Sequence, residues 1–137
     1  MKRLLLFLVI LAAATAASSP PAKNWVLPMF SKEGHRTLTA RGSEARLISE
    51  HQFDVTDLNL TVFSATHPNQ IETIILSPAA SFLVDDKIAR GEHSMRFLRD
   101  DLEATGTRWS YDHGRKKVSL DGQVRIVINA QLSSILK

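Results

Sequence analysis

The residues of this chain that could do chemistry are five histidines and two pairs of adjacent aspartates. The histidines are His35, His51, His67, His93 and His113. No two of them stand three or four positions apart, which is the spacing that places two metal ligands on one helix face. Adjacent aspartates such as Asp85 and Asp86 point to opposite faces of a strand, so they are poor partners for acid–base catalysis. These side chains therefore indicate neither a metal site nor a carboxylate pair.

Other catalytic patterns are also missing from the sequence. The 137 residues include no cysteine, which excludes a thiolate metal site, a cysteine nucleophile and a disulfide scaffold. The chain has no Gly-x-Ser-x-Gly nucleophile elbow and no glycine-rich loop that could hold a phosphate. We therefore predict a protein that is not an enzyme and that carries no cofactor and no metal. A small hydrolase is the weakest of the alternatives.

The charge of the chain does not indicate nucleic-acid binding. Lysine and arginine together number 17 and the acidic residues 14, which gives a formal net charge of +3. Two of the basic residues, Lys2 and Arg3, lie in a segment that we expect to be removed, which leaves 15 basic against 14 acidic residues. A domain so close to neutrality lacks the basic surface that binds DNA or RNA.

The N-terminus has the order of a secretory signal. Two basic residues, Lys2 and Arg3, precede an unbroken apolar run over residues 4–14, and Ala14 and Ala16 supply the small side chains that a signal peptidase reads. The run is shorter than the roughly 20 apolar residues that span a bilayer. We predict a signal peptide over residues 1–16, with a short membrane anchor as the alternative, and a flexible leader over residues 17–29.

Beyond the leader, apolar and polar residues alternate with a period of two. The alternation is clear over residues 52–56, 108–112, 117–121 and 124–129. It indicates antiparallel strands with one buried face. The alternation shifts by one residue at Asp57, as a β-bulge would produce. Two segments, 87–97 and 117–126, also resemble each other, which indicates one hairpin occurring twice, with chance similarity as the alternative.

Short turn sequences separate the alternating runs. We predict turns at residues 32–34, 67–69, 85–87, 112–114 and 121–122. Aspartate and asparagine tolerate the left-handed backbone conformation of such turns, and glycine adopts it without a steric cost. Many short strands joined in this way predict an all-β sandwich, jelly roll or open barrel. We place this domain over residues 30–129, followed by a C-terminal tail over residues 130–137.

Three stretches of the domain resemble the periplasmic LptC, LptA and OstA family. Residues 30–40, FSKEGHRTLTA, look like its opening hairpin. Residues 102–112, LEATGTRWSYD, look like a strand that recurs in the family, and residues 117–126, KVSLDGQVRI, look like the hairpin that follows it. The resemblance extends over about residues 30–128.

This resemblance implies a twisted antiparallel β-jelly roll, open on one side. Members of the family carry lipopolysaccharide across the periplasm with its acyl chains in a groove, and they join edge to edge between an inner-membrane ABC transporter complex and the outer membrane. The implied partners are therefore lipopolysaccharide, through its lipid A acyl chains, and other Lpt-type jelly-roll proteins. The implied location is the periplasm. The N-terminal segment leaves open whether the protein is tethered to the inner membrane like LptC or soluble like LptA.

A sheet can supply an apolar groove because alternate side chains of a strand point to the same face. Each methylene kept out of water contributes about 0.8 kcal/mol, so a lipid with several chains needs a long apolar surface. The predicted groove residues are Leu38, Leu60, Val62, Phe82, Ile88, Met95, Phe97, Leu102, Trp109, Tyr111, Val118, Leu120, Val124, Ile126 and Ile128. The alternative is that these side chains pack against one another as a closed core.

The last predicted strand is the candidate edge for a partner. It comprises Val124, Arg125, Ile126, Val127 and Ile128. The segment is mostly apolar and lacks proline, so it could accept a partner's strand by β-augmentation. The alternative is an ordinary final strand covered by the C-terminal tail. An exported β-sandwich adaptor that binds protein instead of lipid is the second functional hypothesis.

Overall fold

The structure, a computed structural model, describes residues 20–128, and these residues form strands and turns without a helix. The all-β prediction is therefore confirmed. The signal peptide and the C-terminal tail predicted above lie outside the described residues, and no helix within residues 20–128 has the length and apolarity to cross a membrane. The strands are β1 (Ala22–Phe30), β2 (Arg36–Ser49), β3 (Gln52–Phe63), β4 (Ile71–Leu83), β5 (Ile88–Gly91), β6 (Met95–Arg99), β7 (Leu102–Asp112) and β8 (Lys117–Ile128).

The strands form one antiparallel sheet, in which β1 to β4 follow one another in sequence order. β5 pairs with one end of β4 and β6 with the other, and both pair with β7. β5 and β6 are therefore two parts of one interrupted strand between β4 and β7. Within residues 20–128, β1 pairs with β2 alone and β8 with β7 alone, so these two strands are the edges of the sheet.

Two sequence expectations are corrected by these strand limits. The flexible leader predicted over residues 17–29 is wrong from Ala22 onwards, where strand β1 begins. In this strand Trp25, Leu27 and Met29 alternate with exposed residues and pack toward the core. The turn predicted at residues 121–122 is absent, since β8 runs straight through it. There Gln123 has a φ of 47°. The left-handed residue is therefore Gln123, next to the predicted turn, and it lies inside a strand and does not reverse the chain.

A line of left-handed residues, which we call the crease, crosses the sheet. Its members are Asn24, Asp57, Arg108 and Gln123, with φ between 47° and 53°. Val55 is buried before Asp57 and Leu58 is buried after it, so the alternation of buried and exposed side chains changes phase at Asp57, as predicted. The β-bulge expected at this point is absent, because β3 keeps its register with both β2 and β4 through Asp57. The left-handed backbone of Asp57 changes the buried face instead, and β4 changes its buried face at the same place.

The sheet bends back on itself about the crease. Glu72 lies near the start of β4, whereas Lys116 lies in the β7–β8 turn. That turn lies beside the far end of β4, because the His113 N–H donates to the carbonyl oxygen of Lys87, at 3.0 Å, in the turn that follows β4. In a straight strand, Glu72 and the far end of β4 would lie about 36 Å apart, at about 3.3 Å per residue. Yet Lys116 Nζ lies 4.0 Å from a Glu72 carboxylate oxygen. The two halves of the sheet therefore face each other.

The apolar core lies between these two halves. Its largest fully buried side chains are Leu38, Leu58, Leu60, Ile75, Met95 and Val62. Burying a large apolar side chain completely contributes about 1.5–3 kcal/mol, so this cluster is the main source of stability. The turns beyond the strand ends form two rims opposite the crease. The first rim comprises residues 31–35, 64–70 and 100–101, and the second comprises residues 50–51, 84–87 and 113–116.

Candidate functional site

The structure divides the predicted groove residues into three groups by exposure. Seven are at most 4% exposed and belong to the core: Leu38, Leu60, Val62, Phe82, Met95, Trp109 and Tyr111. Five are partly buried: Ile88, Phe97, Leu102, Val118 and Leu120. Three on β8 are exposed: Val124, Ile126 and Ile128. The centre of the interior is therefore filled by the chain's own side chains, whereas one end of the inner face is uncovered.

The uncovered end belongs to the same face of the sheet as the core. Ala104 of β7 pairs with Phe97 on one side and with Ile126 on the other, so all three side chains lie on one face. Leu102 pairs in the same way with Ile128. The exposed fraction is 49% for Val124, 57% for Ile126 and 66% for Ile128. The inner apolar face thus reaches solvent along the second half of β8.

The predicted partner segment, Val124–Ile128, is the second half of the edge strand β8. Its backbone pairs with β7 on one side and has no strand on the other side within the described part of the chain. Val127, on the opposite face, is also 37% exposed. Unpaired apolar edges are normally blunted in soluble proteins because they promote association. This strand is therefore available for pairing.

The two similar segments of the sequence flank β7 from opposite sides. Arg96 of β6 and Arg125 of β8 both pair with Thr105. The recurring pattern of apolar residue, arginine and apolar residue thus corresponds to two strands that use the same central neighbour. β8 repeats the pairing of β6, but within residues 20–128 no further strand lies outside it.

Sequence analysis did not single out the tryptophan–glycine pairs beside the crease. Trp25 stands opposite Gly42, and Trp109 stands opposite Gly91. A Cβ atom on Gly91 would lie 2.7 Å from Trp109 Nε1 and 2.9 Å from the carbonyl oxygen of Ala79. The indole therefore covers the glycine in a space that admits no larger side chain, as in the aromatic cover of strand glycines. Each tryptophan and its glycine are far apart in the sequence, so these pairs could be recognised only once the register of the paired strands was known.

A buried polar pair lies close to the second rim. Tyr111 and His113 are 4% and 9% exposed, and the Tyr111 hydroxyl lies 2.9 Å from His113 Nδ1. Burial raises the pKa of Tyr111, and the charges of Glu72 and Asp112 add to this. Burial also lowers the pKa of His113, with contributions from Lys116 and Lys87. The hydroxyl therefore keeps its proton and donates a hydrogen bond to Nδ1 of a neutral imidazole.

We expect this pair to make the fold acid-sensitive. An unfolded histidine takes up a proton near its ordinary pKa of 6.5, whereas the folded His113 resists protonation. The unfolded state then binds more protons, so the free energy of unfolding falls as the pH drops below about 6.5. Urea unfolding between pH 7.5 and 5 measures this loss, which should be smaller in His113→Gln. A matched variant is His35→Gln, at an exposed position. Equal pH dependence in His113→Gln and the wild type would contradict the prediction.

A polar groove of about 980 Å³ lies beside the crease on the other face of the sheet. Its charged lining residues are Glu44, Arg46, Asp54, Arg90, Glu92, Arg108 and Asp121. Arg46, Asp54, Ser81 and Arg90 follow one another across paired strands, and Ser81 donates to Asp54 at 2.8 Å. Acidic and basic groups alternate, as on a solvated surface. Within residues 20–128, no group of three or more histidine or carboxylate side chains could hold a metal ion.

Comparison with known proteins adds no relative. No family model matches the chain, and no curated protein matches its sequence.

Proposed function

We propose that this chain is a periplasmic lipopolysaccharide-transport component with an open jelly roll of the LptC and OstA type. In this proposal its inner apolar face shields lipid acyl chains, and the edge of β8 passes them to other Lpt-type proteins and to an inner-membrane ABC transporter complex. The observation that carries the proposal is the exposed inner face of β8. There Val124, Ile126 and Ile128 extend the core surface into solvent.

The exposed β8 face is suited to an acyl chain. Its three side chains are aliphatic and lie on one face, next to the partly buried Phe97 and Leu102. Covering such a surface with hydrocarbon is favourable at about 25 cal/mol for each Å² of apolar area removed from water. Within the described residues no strand lies outside β8 to cover it. A lipid chain or a partner strand would each remove this exposed area.

The edge of β8 supplies the second part of the proposal. The strand contains no proline, so each of its residues keeps a backbone N–H. A strand of another Lpt-type domain could therefore pair with it by β-augmentation. Such pairing would continue the inner face of one domain into that of the next. Lipid chains could then pass between domains without entering water.

Photocrosslinking tests this proposal directly. A photoreactive amino acid replaces Ile126 on the inner face, and the matched control places it at Ser119, which is exposed on the opposite face of β8. We expect a lipopolysaccharide adduct from position 126 and none from position 119, after expression in the envelope of a lipopolysaccharide-producing bacterium. Absence of lipid from position 126 would end the transport proposal.

The closed centre of the fold supports a second candidate, an exported adaptor that binds protein. Seven predicted groove residues are packed in the core, so the free interior has little room for lipid in this conformation. An adaptor needs only the edge of β8. In the same photocrosslinking experiment, an adaptor would give protein adducts alone from position 126. Lipid adducts from position 126 would exclude the adaptor hypothesis.

A further inference from the structure

We propose that Glu72 acts as a latch between the two rims, and that this latch has to open before an acyl chain enters the interior. The inference rests on the proposed transport function and extends it to the control of access. It follows from three features of the structure: the position of Glu72, the weakness of its ion pairs and the filled interior behind it.

Glu72 binds to both sides of the opening. One carboxylate oxygen lies 3.8 Å from Arg99 Nη2, and the other lies 4.0 Å from Lys116 Nζ. Arg99 ends β6 and belongs with Glu72 on the side of the first rim, whereas Lys116 lies on the second rim. The Glu72–Arg99 contact therefore stays within one half of the sheet. The Glu72–Lys116 contact crosses the opening and holds the two halves together.

The ion pairs of Glu72 are suited to repeated opening. The side chains of Glu72, Arg99 and Lys116 are 32%, 48% and 40% exposed. Ion pairs with this exposure are weak, because water stabilises the separated charges almost as well. Breaking the crossing contact therefore costs little. Arg99 also remains beside Glu72 after opening, so the carboxylate does not lose all of its positive neighbours.

The interior explains why opening is needed. Tyr111 is buried in the core between the two halves, behind the opening that the Glu72–Lys116 contact crosses. Seven of the predicted groove residues are packed there. An acyl chain can occupy this space only if the halves separate. The packed core supplies most of the energy that keeps the halves together, and the Glu72–Lys116 contact adds a smaller contribution that a change at Glu72 removes.

Spin labels measure the opening without a lipid. Because the chain has no cysteine, labels can be attached at Asp101→Cys on the first rim and Arg115→Cys on the second. We expect Glu72→Gln to shift the label-to-label distance distribution to longer values in electron–electron double resonance. The matched control is Glu33→Gln, which removes an exposed carboxylate from the first rim and should leave the distribution unchanged. An unchanged distribution in Glu72→Gln would overturn the latch.

A reversible cross-link tests the role of the latch in lipid uptake. A bis-methanethiosulfonate reagent joins Glu72→Cys to Lys116→Cys across the opening, or Glu72→Cys to Arg99→Cys within one half. Purified lipid A is then offered to the mature protein with the photoreactive residue at position 82, where the native side chain is buried in the interior. We expect the crossing link to reduce lipid A capture at least about tenfold, reduction to restore it, and the link within one half to have no such effect.

The outcomes separate the latch from the transport function. Undiminished lipid A capture by the protein with the crossing link would overturn the latch and leave the transport proposal standing. Failure of the unlinked protein to capture lipid A at position 82, with capture at position 126 intact, would also overturn the latch. Failure at both positions would overturn the transport proposal, and the gating role with it. Loss of capture under the crossing link, with recovery after reduction, supports both.

Discussion

Replacing Trp109 with alanine is expected to lower the free energy of unfolding by about 3–5 kcal/mol, the range for deleting a buried large aromatic side chain. Trp109 is 2% exposed and covers Gly91 on the neighbouring strand. Alanine would leave a cavity between the two halves of the sheet that backbone movement can fill only in part. Equilibrium urea unfolding followed by circular dichroism measures the loss.

Trp25→Ala is the matched variant for this measurement. Trp25 covers Gly42 with the same cross-strand geometry, but it lies on the edge strand β1 and is only partly buried. Its removal should therefore cost less than the removal of Trp109, since fewer contacts are lost. A loss at Trp25 equal to or larger than the loss at Trp109 would show that the core is not centred where the burial of the side chains indicates.

Gly91→Ala is expected to destabilise the fold by about 1–3 kcal/mol through overpacking. The new methyl group would lie 2.9 Å from the carbonyl oxygen of Ala79 and 2.7 Å from Trp109 Nε1. The indole could rotate only by leaving the core, and the carbonyl oxygen belongs to strand β4 and cannot move without disturbing the sheet. Thermal and urea unfolding both measure the effect, which should appear as a lower midpoint.

Gly114→Ala controls for the general effect of replacing glycine in this protein. Gly114 lies in the β7–β8 turn, and a Cβ atom there would be 3.4 Å from an Asp112 carboxylate oxygen, an ordinary contact. We expect its stability to stay within about 0.5 kcal/mol of the wild type, as for most exposed substitutions. Equal losses in the two variants would refute the steric explanation for Gly91.

Local features of the fold could be predicted from the sequence because they depend on neighbouring residues. The alternation around Phe53 and Trp109 predicted strands, and the change of phase at Asp57 was recognised, although a left-handed residue on the crease produces it and not the expected β-bulge. β1 was missed, although Trp25, Leu27 and Met29 alternate. Pro28 interrupts that run, and proline is accepted in a strand mainly at a sheet edge, a position that only the assembled sheet reveals.

Residues 121–122 show the opposite error, because a turn was predicted where the structure has a continuous strand. Asp121 and Gly122 have the composition of a tight turn, yet β8 continues through them. Left-handed backbone serves both a turn and a bulge, and the choice between them depends on whether a neighbouring strand pairs beyond that point. Here β7 pairs with β8 on both sides of Gly122, so β8 continues as one strand with an irregularity at Gln123.

By itself, the sequence determined that the chain is all-β and which side chains share a face, because alternation is a property of the strand. Only the tertiary structure decided what lies opposite each face. Leu60 and Ile126 belong to the same apolar pattern, yet one is fully buried and the other is 57% exposed. The difference arises because the sheet folds about the crease and covers its middle, while in the part of the chain that the structure describes no further strand lies beside the edge strand β8.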